Sequence, residues 1–502
     1  MKGIMIQGTA SDVGKSLIAT AICRAFANEG VRVVPFKSQN MSNNSYVTID
    51  GKEIGRAQGI QAEAANTEAT VEMNPILLKP RSDQDSEVVL LGEATKTLSG
   101  RDYRDSFYEK GLETITSSLE KLEEKYDLIV MEGAGSPVEV NLKAKELVNM
   151  KVAEMADVPV ILVADIDRGG VFASIVGTLE LLSDDERARV QGIVINKFRG
   201  DSSLFENGIQ WLEEKTGIPV LGLLPYMDNH MIDAEDSLSL PLSSTNESIN
   251  TIEIVVIKPP YISNFSDLEP FYYEQDVAIK WVKHPDEIKN PDAIILPGTK
   301  STIRDLQYFK NAGFDKRVRQ FVDEGGYVVG ICGGYQMLGM RLIDPTGSDT
   351  GIRFTEEEGL GFIPAVTTFS KEKLTIRVEG KLHPYTGMDL TIDGYEIHLG
   401  ETKQESDRHF LLLSDGREEG YYGNSGQMIG TYLHHLFHND KWRNQWLNRL
   451  RRRKGLKEQG IVPIQELKEQ KYDELAAHFL KHIDWEKLKE ITLRWRKKNE
   501  LD

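Results

Sequence analysis

Short β-branched apolar runs alternate with helical stretches along this chain, and they do so in two separate series. The first comprises "GIMIQG" (3–8), "VRVVPFK" (31–37), "DLIVMEG" (127–133), "VPVILVADID" (158–167), "VQGIVINKF" (190–198) and "IPVLGLLP" (218–225). Runs that are apolar almost throughout, with room between them for crossover helices, specify parallel strands covered on both faces. The pattern lapses in "DNHMIDAEDSLSLPLSSTNESIN" (228–250), where Ser, Asn and Asp gather. It resumes with "TIEIVVIKPP" (251–260), "DAIILPGTKS" (292–301), "GYVVGICGG" (326–334) and "GQMIGTYLHHLF" (426–437). After Trp442 the chain is charged and helical to its end. The expected fold is α/β: two doubly wound domains at 1–227 and 251–447, a linker at 228–250, and a helical tail at 448–502.

At 502 residues each domain can bury a core of its own. Cys23 and Cys332, the two cysteines, form neither a disulfide framework nor a CxxC pair. The opening "MKGIMIQGTASDVGK" turns polar too early for a secretory segment, which points to a reducing cytoplasm. No apolar run approaches the ~18 residues of a membrane span. A formal charge of −18 repels nucleic acid and anionic membrane, leaving small molecules as partners. An anionic substrate would need local Lys and Arg. The basic run "RLRRRKG" (449–455) reads as a solvated helix face.

"IQGTASDVGKSLIATAICRAFANEG" (6–30) sets a glycine-containing loop between a strand and an amphipathic helix. Gly14 admits close approach of an anion to the backbone, and the helix amides point at it. Lys15 would reach the β- and γ-phosphates, and the Ser16 hydroxyl would ligate Mg²⁺. Five residues rather than four separate Gly8 from Gly14, so the loop departs from the ordinary spacing. Glu132 ends a buried strand, where a metal-directed carboxylate is needed. Asp165 and Asp167, beside Arg168, serve either metal, substrate or an internal ion pair. Cys23 lies on the apolar side of the loop's helix and reads as core.

In the second series Cys332 stands between glycines where a strand breaks into a helix. Such an elbow thrusts the side chain out of the sheet, and the helix start favours thiolate. Gly330, Gly333 and Gly334 clear the bend. The Gly333 amide would donate to an oxyanion, with a second donor at Gly298. A partner base is expected on a neighbouring strand, and "GTYLHHLF" offers His434 and His435.

"GICGGYQ" resembles the nucleophile elbow of class I glutamine amidotransferases. That likeness implies Cys332 as nucleophile, Gln336 as a glutamine contact and His434 as base. The first series resembles dethiobiotin synthetase-like ATPases, with Thr9, Gly14, Lys15 and Ser16 on ATP and Asn196 at adenine. "PFKSQNMSNNS", "EIGRAQGIQAEAA", "MNPILLKPRSD", "MEGAGSPVEVNL", "VADIDRGGVFAS", "INKFRGD" and "GYEIHLG", in this order, are similar to the cobyric acid synthase family over nearly the whole chain. The resemblance implies ATP, Mg²⁺ and glutamine, and amidation of the b, d, e and g carboxylates of adenosylcobyrinic acid a,c-diamide. Metal ligands would be Ser16, Glu132 and Asp165, and Lys37, Lys79, Arg81 and Arg168 would meet substrate. Leu436 stands where class I enzymes carry the glutamate that orients the histidine, which leaves Glu396 or His398 as candidates. His435 stands where relatives have glycine. Other readings are cobyrinic acid a,c-diamide synthase, an amidotransferase for another carboxylate, or a nucleotide-switched partitioning ATPase.

Overall fold

The computed structural model describes residues 2–81, 85–227 and 251–495, so the segment read as a linker lies outside the described residues. The chain divides into two compact units. The first is Met1–Ser42, Glu53–Ile232 and Glu466–Asp502; the second is Asn43–Lys52 and Asp233–Gln465.

In the first unit, β1 (Lys2–Gly8), β2 (Val33–Phe36), β3 (Leu128–Glu132), β4 (Val160–Asp165), β5 (Val190–Phe198) and β6 (Val220–Pro225) form one sheet. Their order is β6-β5-β4-β1-β3-β2, and every pairing is parallel. Their side chains are buried on both faces, as the unbroken apolar runs require. Helix α1 (Lys15–Asn28) crosses over from β1, and Cys23 is fully buried on it among core residues. A smaller sheet, Gln39–Met41, Ile76–Pro80, Asp85–Leu90 and Glu93–Ser99 in that order, was not foreseen from the sequence.

The second unit repeats the doubly wound plan. Its strands are β7 (Ile252–Ile257), β8 (Val277–Val282), β9 (Ala293–Leu296), β10 (Tyr327–Ile331), β11 (Tyr421–Gly423) and β12 (Met428–Thr431), ordered β8-β7-β9-β10-β12-β11. All pairings are parallel except the edge pair β11–β12. A second sheet is built around a long antiparallel hairpin, Ala365–Leu382 with Thr391–Gln404.

The domain boundaries differ from the sequence reading in two places. Residues from Glu466 onward belong to the first unit. Leu475 and Phe479 of helix α3 (Ile464–Lys481) join the core that includes Ile22 and Phe26. Arg24 reaches Glu469 at 2.7 Å and Asp473 at 2.8 Å. The other exception is Asn43–Lys52, which belongs to the second unit although the chain on either side of it belongs to the first. The basic run is not wholly solvated either. Arg451 is completely buried, paired with Glu274 at 3.3 Å and Asp276 at 2.6 Å, because its helix packs against the core with that face.

Candidate active site

The phosphate loop of the first unit is fixed by its own contacts. Gly14 has φ +101°, a conformation open to glycine, and a Cβ there would collide with the Asn196 amide. Asn196, at the end of β5, donates to the Val13 carbonyl at 2.9 Å. The Thr9 amide is bonded to the Val163 carbonyl at 2.9 Å, which ties the start of the loop to β4. Lys15 curls over the loop, with Nζ 2.9 Å from the Ala10 carbonyl and 3.2 Å from that of Gly135. Ser16 donates to Glu132 Oε1 at 2.8 Å, which brings the hydroxyl and the carboxylate together. Lys37 also reaches Oε1 at 3.0 Å, and Gln61 donates to Oε2 at 2.7 Å.

Asp165 and Asp167 form ion pairs, with Lys197 at 2.9 Å and Arg199 at 2.9 Å respectively. Of the proposed substrate cations, Lys37 is buried against Glu132, Lys79 is buried against Glu53, and Arg81 pairs with Glu87 at 2.7 Å. Arg168 is exposed, 3.7 Å from Asp12 and 3.9 Å from Asp165. A cavity of about 570 Å³ opens beside the strand end that carries Glu132. Met41, Leu78, Val88 and Tyr103 give it an apolar wall, and Ser136 and Lys145 a polar one.

The second unit holds the cysteine elbow. Cys332 lies between β10 and helix α2 (Gly333–Leu338) with φ +51° and ψ −108°, strained for a residue with a side chain. The bend survives because its neighbours are glycines: a Cβ on Gly333 would meet Thr299 at 2.5 Å, and one on Gly330 would meet Leu338 at 2.6 Å. The thiol donates to the Ile397 carbonyl at 3.6 Å, and Cys332 is one of the groups that favour a protonated His434. Gly298 adjoins the pair, since a Cβ there would stand 3.2 Å from His434 Cε1. Gln336 is buried, held by Thr302 at 2.9 Å and Tyr432 at 3.1 Å.

His434 is fully buried, and the group that orients it is Asp267. Its Oδ2 lies 2.7 Å from Nδ1, while Oδ1 accepts the His435 backbone N–H at 2.8 Å. Burial disfavours the imidazolium, but Asp267 and then the Cys332 pairing outweigh it and raise His434 to about 10. Tyr395 stacks on the ring at 5.1 Å between centroids. Neither sequence candidate for the orienting group fills that role. Glu396 is bound to Arg417 at 2.7 Å, and His398 bonds the Gly400 carbonyl at 2.7 Å, its ring pushed down to about 4 chiefly by burial. Leu436 is core. His435 has φ +65°, the left-handed conformation that glycine adopts most readily.

Asp267 was missed because no motif announces it. It sits in a 3₁₀ segment, Phe265–Tyr273, far from the histidine in sequence. The one available sign was an acidic residue inside the otherwise aromatic "NFSDLEPFYY".

Two family descriptions match the two units. Residues 4–240 match a CobQ/CobB/MinD/ParA nucleotide binding domain, and residues 253–442 a CobB/CobQ-like glutamine amidotransferase domain. A cobyric acid synthase of Geobacillus kaustophilus is 50% identical over 97% of both chains. Those of Geobacillus thermodenitrificans and a Synechocystis strain are 49% and 46% identical, over 99% and 97% of both chains. The chain belongs to the cobyric acid synthase family. It therefore joins a nucleotide-binding unit to a glutamine amidotransferase unit, the two α/β domains expected from the sequence. Among the described residues no helix is long and apolar enough to cross a membrane.

Proposed function

We propose that this enzyme makes cobyric acid, amidating the b, d, e and g carboxylates of adenosylcobyrinic acid a,c-diamide with nitrogen from glutamine. The Cys332–His434–Asp267 arrangement carries the reading. A carboxylate resists ammonia because oxide is a poor leaving group. Transfer of the ATP γ-phosphoryl group onto it gives an acyl phosphate; ammonia attacks the acyl carbon and phosphate departs. Lys15 and the loop amides would stabilise charge on the transferring group. The hard oxygens of Ser16 and Glu132 suit Mg²⁺, which would neutralise phosphate charge, and Asp165 as a further ligand would have to leave Lys197.

In the other unit Cys332 gives its proton to Nε2 of His434 and attacks the glutamine side-chain amide. The amides of Gly333 and Gly298 would receive the developing oxyanion, and Gln336 would contact the bound glutamine. His434 returns the proton to the departing ammonia, and water then clears the thioester to glutamate. Asp267 holds Nδ1 protonated, which leaves Nε2 as the nitrogen that exchanges a proton with Cys332.

The 570 Å³ cavity offers apolar surface for the acceptor, with Lys143 and Lys145 among its polar groups to meet carboxylates and Glu139 and Glu146 beside them. Its wall at Ala134 and Ser136 flanks Gly135, which accepts the Lys15 ammonium, so a carboxylate there would face the phosphate loop. Asn196 at adenine and Arg81 and Arg168 as acceptor contacts belong to the same reading. Cys332→Ala tests the division of labour. It should lose glutamine-dependent amidation of the corrinoid yet retain it with ATP and ammonium, followed by mass spectrometry. Undiminished glutamine hydrolysis by that variant would falsify the assignment.

A further inference from the structure

Gln336 contacts the bound glutamine in the reading above, and its side chain is buried. An amide carries two N–H donors and two lone pairs on its oxygen. Thr302 Oγ1 donates to Oε1 at 2.9 Å, and Nε2 donates to the Tyr432 hydroxyl at 3.1 Å. Both polar atoms are thus gripped, and the amide plane cannot turn about its last side-chain bond without breaking a contact. One N–H and one lone pair are left over. These are the groups that can meet an amino acid brought up to Cys332.

Tyr432 is itself fixed in place. Its hydroxyl lies 2.6 Å from Thr402 Oγ1, which lies 2.7 Å from Thr367 Oγ1, so a row of hydroxyls runs from Gln336 to the long hairpin. Thr367 and Thr402 face each other across that hairpin. The imidazole of His398 stacks on the phenol at 3.8 Å between centroids, and Tyr335 meets it edge to face at 5.3 Å. Glu419 holds the backbone: Oε1 accepts the Tyr432 N–H at 2.5 Å, and Oε2 the Thr431 hydroxyl at 2.8 Å. Burial pushes the phenol up, so it keeps its proton for Thr402 and offers its oxygen to Gln336. Gly400 leaves the amide its room, since a Cβ there would lie 2.5 Å from Gln336 Nε2. A phenylalanine at 432 would fill the same space. What the hydroxyl adds is a hold on Gln336.

We propose that Tyr432, together with Thr302, is a clamp that sets the affinity for glutamine by fixing the amide of Gln336. Tyr432 is a positioning residue that acts through Gln336. The clamp rests on Gln336 being a glutamine contact, which Gln336→Ala tests by itself.

Tyr432→Phe keeps the ring and its stacking and removes the hydroxyl. In full-length protein supplied with ATP, Mg²⁺ and the corrinoid, it should raise KM for glutamine about fivefold, the worth of one neutral hydrogen bond, and leave kcat within about twofold of its original value. Thr302→Val should do the same from the other end of the amide. Thr302→Ser, which keeps the hydroxyl, should restore the original KM. Amidation with ammonium bypasses the glutamine pocket and should hold its rate in these variants. The decisive measurement combines two changes. Added to Gln336→Ala, Tyr432→Phe should raise KM no further, because the residue it acts through is gone; a packing defect would add its full effect. Effects that multiply in the double variant would overturn the clamp. So would an unchanged KM in both Tyr432→Phe and Thr302→Val beside a raised one in Gln336→Ala. If Gln336→Ala itself leaves KM unchanged, the contact is refuted and the clamp falls with it.

Discussion

At the scale of single residues, Asp267 holds His434 with both of its carboxylate oxygens. One oxygen orients the ring of His434 and the other fixes the backbone after it. Position 436, where the likeness to class I amidotransferases would put a glutamate, is a buried leucine. Replacing Asp267 by asparagine keeps the shape but lets the wrong ring nitrogen carry the proton. Asp267→Asn should lower glutamine-dependent amidation about 10²- to 10⁴-fold, while amidation with ammonium stays near its original rate. Paired assays with the two nitrogen donors check this. Glu396→Gln makes the control: its carboxylate is engaged by Arg417, so its effect on glutamine hydrolysis should be smaller than that of Asp267→Asn.

At the scale of elements, the limits of the sequence follow from what each pattern encodes. Glycines around Cys332 were legible as an elbow because a bend in that place has no room for side chains. The parallel strands were legible because burial on both faces leaves no polar alternation to read. An amphipathic helix, by contrast, shows that it packs but not on what. Helix α3 read as part of a separate helical tail, yet Phe479 is buried in the core shared by Ile22 and Phe26, and Arg24 clamps its acidic face. Asn43–Lys52 was illegible for a different reason: apart from Val47 and Tyr46 its contacts run through backbone groups and short polar side chains, which leave no periodic trace. If α3 completes the nucleotide-binding core, Phe479→Ala should destabilise the first unit by about 3–5 kcal/mol, the usual range for deleting a buried ring. Denaturant unfolding, followed with a nucleotide-competition signal for the first unit and glutaminase activity for the second, should show the loss in the first.

At the scale of the whole molecule, the two units carry buried carboxyl groups perturbed in opposite directions, so they should respond differently to pH. In the second unit, burial raises Asp305 to about 7, despite bonds from Thr299 and Tyr261 that favour its ionised form. Burial also raises Glu419 to about 8, with the charge of Glu396 adding to it and bonds from Tyr432 and Thr431 opposing. Each holds in the folded state a proton that the unfolded chain has released. Their stabilisation is complete below the unfolded carboxyl value and is lost as pH rises through 7 and 8. His398 pulls the other way, but only below its ordinary value near 6.5, where the unfolded imidazole gains a proton the buried ring resists. In the first unit, burial works against Glu63, but Lys468 and Arg56 outweigh it and hold its carboxyl down to about 2. Its contribution is present above the unfolded value and is lost only as pH falls toward 2. Between pH 6.5 and 8.5 the second unit should therefore lose stability, at up to about 1.4 kcal/mol per pH unit for each retained proton. His434, raised to about 10, adds to the loss because the unfolded imidazole releases its proton above 6.5. Glu63 gives the first unit no matching slope in that range. Differential scanning calorimetry across the window should show the second unit's transition moving down by more than the first. Glu419→Gln, which stays neutral at every pH, should flatten that slope, and a slope as steep as before would remove Glu419 as its source.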